Sequence, residues 1–233
     1  MGMFFFCIAY FGFTSLSVIS LFHEERLIFL RERAGGYYNT FPYYCAKIVA
    51  DVIPLRVLPP MLFSVIVYWS AGHLQPYMSN FWIFTGAMVL VNLCATGLNT
   101  IISSFCNTQG LANFVASFVL MVWLLIGSYM VNKETLAASP LTGYIRWICY
   151  AYYAFEAILV NECSNFRYSF FVQLPADTPL KLAATCRTGR EFLIAFGFVP
   201  DNQDHDMMCL AVMAVATYAI AYMQLRFLIV EVR

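Results

Sequence analysis

Five stretches of this chain run to about twenty residues or more with almost no charge in them. Residues 4–22, 81–102 and 111–131 carry none, 48–71 holds only Asp51 and Arg56, and 207–230 holds only Arg226. A helix needs roughly 20 mostly apolar residues to cross the hydrocarbon core of a bilayer. Helices satisfy every backbone polar group within their own segment, which lipid cannot do for them. The pattern therefore predicts an all-α polytopic membrane protein with five transmembrane helices. Composition agrees, at 61% hydrophobic and 11% charged, where soluble domains run near 25% charged. Thirteen basic residues balance thirteen acidic ones. That removes the basic footprint of a nucleic-acid binder, and the high hydrophobicity excludes disorder.

Residues 141–161 are apolar and aromatic but include Arg146 and Glu156. A charge at mid-membrane costs about 2.5–3.5 kcal/mol on insertion scales, so a re-entrant helical segment buried against protein is expected rather than a sixth lipid-exposed span. Orientation follows the basic residues in short loops. Arg26, Arg31 and Arg33 follow the first span and Arg226 and Arg233 end the chain, which places both clusters in the cytosol. The segment 162–206, with four basic and six acidic side chains, is then exterior and large enough for a small loop subdomain. The chain opens within a span and is expected to be a fragment of a longer protein.

Cysteines sort by compartment. Cys7, Cys45, Cys94, Cys106 and Cys149 lie in or beside apolar blocks, where free cysteine behaves as a small hydrophobe. Cys163, Cys186 and Cys209 fall in or at the edge of the exterior segment, where disulfides persist. A Cys163–Cys186 bridge, a bridge to another chain and a free thiol all remain open on spacing alone. No CxxC or HxxxH spacing suggests a metal.

Between the first two spans, His23 to Gly36 places charges around the apolar patch Leu27–Leu30, and the glycine pair supplies a helix stop. A helix leaving the membrane along its cytosolic surface fits, as does a snorkelling helix end. In the second span Lys47 and Asp51 stand four apart and can pair on one helix face. Arg56 is five from Asp51 and points elsewhere on a regular helix. Pro54, Pro59 and Pro60 should loosen that helix and free carbonyls. Ala211, Ala214, Thr217 and Ala221 form a small-residue stripe that permits close helix approach. No phosphate loop, GxGxxG or GxSxG elbow is present. No paired carboxylates, nucleophile–base set or metal triad at one depth suggest a membrane-embedded enzyme.

The strings RERAGGYY (Arg31 to Tyr38), K-x-x-x-D-x-x-P-x-R (Lys47 to Arg56), VLPP (Val57 to Pro60), RWICYAYYAFEAILVNE (Arg146 to Glu162) and ATCRTGREFL (Ala184 to Leu193) together resemble one family. They look like the membrane domain of the ABC transporter G subfamily, the white/brown complex group, over about Phe4 to Val230. The resemblance implies a half-transporter whose ATP-binding cassette and first span are absent from this chain. It also implies a second half, identical or different, forming a central cavity within membrane lipid, in the plasma membrane. ATP and magnesium would belong to the missing cassette, and no cofactor to this chain. The implied work is export of lipids, sterols or amphipathic xenobiotics. The alternative is a truncated, non-transporting subunit that pairs with and regulates a full-length partner.

Position by position, Phe13 matches the aromatic clamp of the cavity, and Tyr10 falls where multidrug members carry a polar amide. Ser117, Met121 and Leu124 match cavity-lining positions, and Tyr129 and Met130 the two-residue plug. Glu25 to Glu32, with Arg26 and Arg31 between them, matches the helix that couples to the cassette. Arg56 matches a position associated with selectivity, while Lys47, Asp51, Arg146 and Glu156 complete the intramembrane polar set. Cys163 and Cys186 match an intrachain bridge of the exterior loop.

Overall fold

The computed structural model describes residues 1–70, 78–127, 140–163, 189–195 and 197–227. The described residues are helical with no strands. The helices are α1 (Gly2–Thr14), α2 (Ser17–Ala34), α3 (Thr40–Lys47), a π-helical segment (Ile48–Val57), α4 (Leu58–Ser70), α5 (Met78–Phe105), α6 (Gln109–Ile126), α7 (Pro140–Ile145), α8 (Tyr150–Cys163), α9 (Gly189–Ala195) and α10 (Gln203–Phe227). Five continuous helical runs are long and apolar enough to cross a membrane: Gly2–Ala34, Thr40–Ser70, Met78–Phe105, Gln109–Ile126 and Gln203–Phe227. Within the described residues the five apolar blocks are helical, apart from a turn at Ser15 and Leu16, as the sequence predicts.

Each run outgrows its apolar block where local chemistry favours helix. The first continues from α1 into α2 with only a turn at Ser15 and Leu16, carrying the charged segment on the same rod. It stops at the glycine pair. Gly36 adopts φ 76°, Gly36 N–H donates to the Arg33 carbonyl and Tyr37 N–H to that of Glu32, a Schellman closure that a left-handed glycine allows. α10 starts at Gln203, ahead of the apolar block, because Asp204 and Asp206 sit in its first turn and complement the positive end of the helix dipole.

In the second run a π-helical segment, Ile48–Val57, contains Pro54 and leads into Pro59 and Pro60. Proline has no N–H, so Pro54, Pro59 and Pro60 strip the carbonyls of Ala50, Leu55 and Arg56 of their usual donors four residues on. The Ala50 carbonyl can take the N–H five residues on, at Leu55, within the π segment Ile48–Val57, whereas Leu55 meets a second proline, Pro60, at that spacing. The Arg56 carbonyl finds its donor elsewhere: Asn92 Nδ2 of α5 donates to it at 2.8 Å.

α5 is the central post, touching α1, α2, the π segment, α4, α6, α8 and α10. One side is apolar, with Phe84, Ala87, Met88 and Val91 in the main core. Other positions are buried and polar, and some of them bond partner helices. Asn99 donates to Ser15 Oγ at 2.7 Å, at the α1–α2 break, and Ser15 donates to the Gly12 carbonyl at 2.5 Å. Asn80 and Asn161 exchange side-chain-to-carbonyl bonds of 3.2 and 2.9 Å, tying α5 to α8. Against α10, Gly97 faces Thr217, and Ala214 and Ala221 are buried on the same seam. The small-residue stripe therefore does what the sequence suggests.

α8 is buried along its whole length apart from Tyr152, which is half-buried. Its 14 residues span about 21 Å at 1.5 Å per residue, short of the ~30 Å hydrocarbon core. Glu156 sits inside it at 2% exposure and accepts from the Val199 N–H at 3.3 Å. Arg146 lies in the turn before α8, its guanidinium 5.3 Å from the Trp147 ring centre.

Candidate functional site

The charged residues gather at two ends of the bundle. At the end carrying α2, the helix divides its side chains by a seven-residue repeat. Phe22 and Phe29 are buried against Tyr44 and Leu225. Glu25 and Glu32 turn toward α3: Lys47 forms an ion pair with Glu25, Tyr43 donates to Glu25 at 3.3 Å, and Tyr38 donates to Glu32 at 2.5 Å. Arg26 and Arg33 turn toward α5 and α10, donating to main-chain carbonyls there. Glu24, Ile28 and Arg31 face outward, Ile28 with 57% exposure. The four coupling-helix positions read from the sequence thus do not share a face. Of Glu25, Arg26, Arg31 and Glu32, only Arg31 looks out: Glu25 binds Lys47 of α3, Arg26 the Cys106 carbonyl just past α5, and Glu32 Tyr38 in the connection to α3.

A cavity of about 270 Å³ lies in the notch between α2 and the start of the second run, lined by Glu25, Glu32, Tyr38, Tyr43, Lys47 and Asp51. Lys47 also approaches Asp51 at 3.7 Å, the pairing expected four residues apart. Tyr38, outside the spans, has its hydroxyl pushed up to about 12 by burial and by the adjacent Glu32 carboxylate.

Arg56 is not isolated from the other charges as a regular helix would have it. On a π-helix residues five apart fall closer to one face than on an α-helix, and Lys47, Asp51 and Arg56 line one tight cavity with Phe22, Thr96 and Tyr218. Arg56 donates to Ser17 Oγ at 3.2 Å. At the opposite end a cavity of about 330 Å³ is lined by Arg146, Tyr152, Tyr153, Glu156, His205 and Asp206. The two charged residues of the 141–161 stretch therefore meet the start of α10.

The positions expected to line a cavity lie on α1 and α6, which pack together where Gly12 approaches Leu120. Phe13, Tyr10 and Met121 are exposed at 40, 46 and 59%, and Ser117 is half-buried. Tyr10 stacks on Phe63, the ring centres 5.3 Å apart and the planes at 11°. Leu124 instead belongs to the core at 8% exposure. Exposed Phe114, Phe118, Met121 and Leu125 make the outward stripe of α6. Tyr129, Met130 and Cys186 lie outside the described residues, while Cys163 is buried at the end of α8.

Two features escape the sequence analysis. The heptad of α2 is written as Phe22/Phe29, Glu25/Glu32 and Arg26/Arg33, pairs seven apart that a period search would find. Asn92 and Asn99, also seven apart within an apolar span, are the second, and intramembrane polar side chains are expected to find partners.

The bundle, with buried charge at both ends and exposed aromatic faces on α1 and α6, defines a polytopic helical membrane domain. The sequence profile of the ABC-2 type transporter family matches residues 1–163, and the chain belongs to that family. It is 34% identical over 232 residues to ABC transporter G family member 24 of Dictyostelium discoideum, covering 100% of this chain and 19% of the relative. A probable ATP-dependent permease of Saccharomyces cerevisiae is 33% identical over 241 residues, covering 99% and 21%. The broad substrate specificity ATP-binding cassette transporter ABCG2 of Rattus norvegicus is 26% identical over 229 residues, covering 97% and 34%. The chain thus spans about a fifth to a third of the length of the curated relatives it matches.

Proposed function

We propose that the chain is the membrane-spanning part of an ATP-driven exporter that works as a dimer of half-transporters. Its cargo class is lipids, sterols or amphipathic xenobiotics. The observation that carries this reading is the pair of exposed aromatic faces on adjacent α1 and α6, where Phe13 and Met121 look out of the protomer. A second half-transporter laid on these faces encloses an apolar, aromatic-walled cavity. Such a cavity selects by shape more than by hydrogen bonds. Tyr10 and Ser117 flank it, and Tyr129 and Met130 act as the plug above it. Leu124 supports the cavity wall from behind.

The cassette supplies ATP and magnesium chemistry, and the residues of this chain receive its motion. The outward face of α2, with Glu24, Ile28 and Arg31, is the contact surface. Lys47, Asp51 and Arg56 hold the π segment, whose i→i+5 bonding gives it an alternative register during the change between inward and outward states. The α7–α8 stretch is re-entrant from the exterior side, and segment 162–206 is an exterior cap in which Cys163 pairs with Cys186. The α2 end and the C-terminus are cytosolic in a plasma-membrane protein.

Cross-linking tests the cavity. Cysteines replacing Phe13 and Met121 in the full-length protein, with Cys45 changed to Ser, should join two protomers through a short bifunctional reagent, less so once ATP is trapped. No inter-protomer product at either position refutes the assignment.

A further inference from the structure

Two arginines of α2 reach main-chain carbonyls of two other helices. Arg26 Nη1 donates to the carbonyl of Cys106, immediately past the last residue of α5, at 3.3 Å. Arg33 donates from Nη1 to the Leu225 carbonyl at 3.0 Å and from Nη2 to the Arg226 carbonyl at 3.1 Å, in the last turn of α10. At the end of α5 the final carbonyls of the helix have no intrahelical donor and carry the negative end of its dipole; on α10 the bonds fall in the last turn of its described length. A guanidinium presents several fixed N–H groups and stays charged, so it suits such a terminus better than any other side chain. Charged donors also form the stronger hydrogen bonds.

The spacing makes this one device. Residues seven apart stand nearly two turns apart on the same helix face, so one face of α2 holds both α5 and α10. His23, three residues before Arg26, adds a contact of 2.9 Å between its Nδ1 and Ser103 Oγ in the last turn of α5. α5 and α10 are themselves in close contact through Gly97 and Thr217. Glu25 and Glu32 use a different face, toward α3. The outward face carries Glu24 and Arg31, whose side chains make no hydrogen bond or ion pair among the described residues.

We infer that Arg26 and Arg33 are positioning residues that fasten α5 and α10 to α2, so that a push on the outward face of α2 moves all three helices together. This rests on the exporter reading for the origin of the push. Neither arginine serves as a contact for the cassette.

The test uses the full-length protein in proteoliposomes, with Arg26→Gln, Arg33→Gln, the double variant and Arg33→Lys. Export per ATP hydrolysed is the first readout. It should fall about fivefold in the double variant, the low end of coupling between sites, and Arg33→Lys should recover part of the loss. A second readout needs no transport. Spin labels at Ala34→Cys on α2 and Met223→Cys on α10, with Cys45→Ser, should keep one separation with and without trapped nucleotide. Arg33→Gln should make that separation nucleotide-dependent. A lower Tm with unchanged export per ATP and unchanged label separation would reduce the arginines to structural caps and overturn the inference. If the parent protein exports nothing, the exporter reading fails, and the label separation alone decides about the arginines. Should the double variant fail to fold, the single variants and Arg33→Lys carry the same two readouts.

Discussion

Gly97→Ala tests the closest helix approach in the bundle. A Cβ added there would lie 2.7 Å from the Thr217 Cβ and 3.6 Å from the Thr217 carbonyl carbon, with the Thr217 hydroxyl nearer still. Carbon atoms pack best at about 3.5–4.0 Å, so α5 and α10 would have to part by about 1 Å. Thr217 cannot simply swing away, because its hydroxyl donates to the Ala214 carbonyl at 2.8 Å and its Cβ is fixed to the backbone. Overpacking of this kind costs about 1–3 kcal/mol, and the direct backbone-level clash places Gly97 at the upper end. Alanine returns up to about 1 kcal/mol through helix propensity. The net loss is then about 2 kcal/mol, or roughly 4–8 °C in Tm for a chain of this size. Gly110→Ala is the control: nothing lies within 4 Å of its added Cβ, so it should be neutral or stabilising by about 0.4–1 kcal/mol. Thermal unfolding in detergent or nanodiscs measures both. Thr217→Gly removes the opposing Cβ and should restore most of the loss in the double variant. If Gly97→Ala melts with Gly110→Ala, the argument from close approach is wrong.

Three further perturbations probe the polar contacts. Asn92→Leu removes the donor to the Arg56 carbonyl and should cost about 1–2 kcal/mol, the net worth of a buried bond plus part of an orphaned acceptor; Pro60→Ala supplies the missing N–H and should shrink that loss, as a double-mutant cycle on Tm would show. Lys47→Met leaves Glu25 and Asp51 facing each other without their shared cation, and a loss of about 1–3 kcal/mol is expected for this half-buried group, relieved by Glu25→Gln and read by the same melts. Tyr38 has its hydroxyl raised to about 12, by burial first and by Glu32 second. Its contribution to stability is complete below the ordinary tyrosine value near 10 and is lost as pH climbs toward 12, so the Tm difference between parent and Tyr38→Phe should narrow across that window and nowhere below it.

How far the sequence reaches can be seen element by element. The five spans were visible because lipid forces apolar runs of fixed length, and the helix stop at Gly35–Gly36 because a left-handed residue is nearly always glycine. The π segment was half visible: three prolines announce freed carbonyls, yet not the π-helical winding of Ile48–Val57. Arg56 and Asp51 line one cavity there, where a regular helix would have turned them well apart. The ends of helices were misjudged where charge extends them, as at Asp204 and Asp206. Among the residues expected to line a cavity, Phe13 and Met121 are exposed, whereas Leu124 faces inward because α6 turns one side to the core and the other away from it. The charges of α2 were recognised as a group. Their division into faces depends on where α3, α5 and α10 pass α2, which is a tertiary fact no local pattern encodes.

Export itself decides the matter. The full-length protein, reconstituted into vesicles with its cassette outward, should accumulate a fluorescent amphiphile only when ATP and magnesium are supplied. Phe13→Ala with Met121→Ala should reduce accumulation severalfold while ATP hydrolysis continues. ATP hydrolysis without accumulation of any amphiphile tested, or accumulation indifferent to both substitutions, would contradict the account.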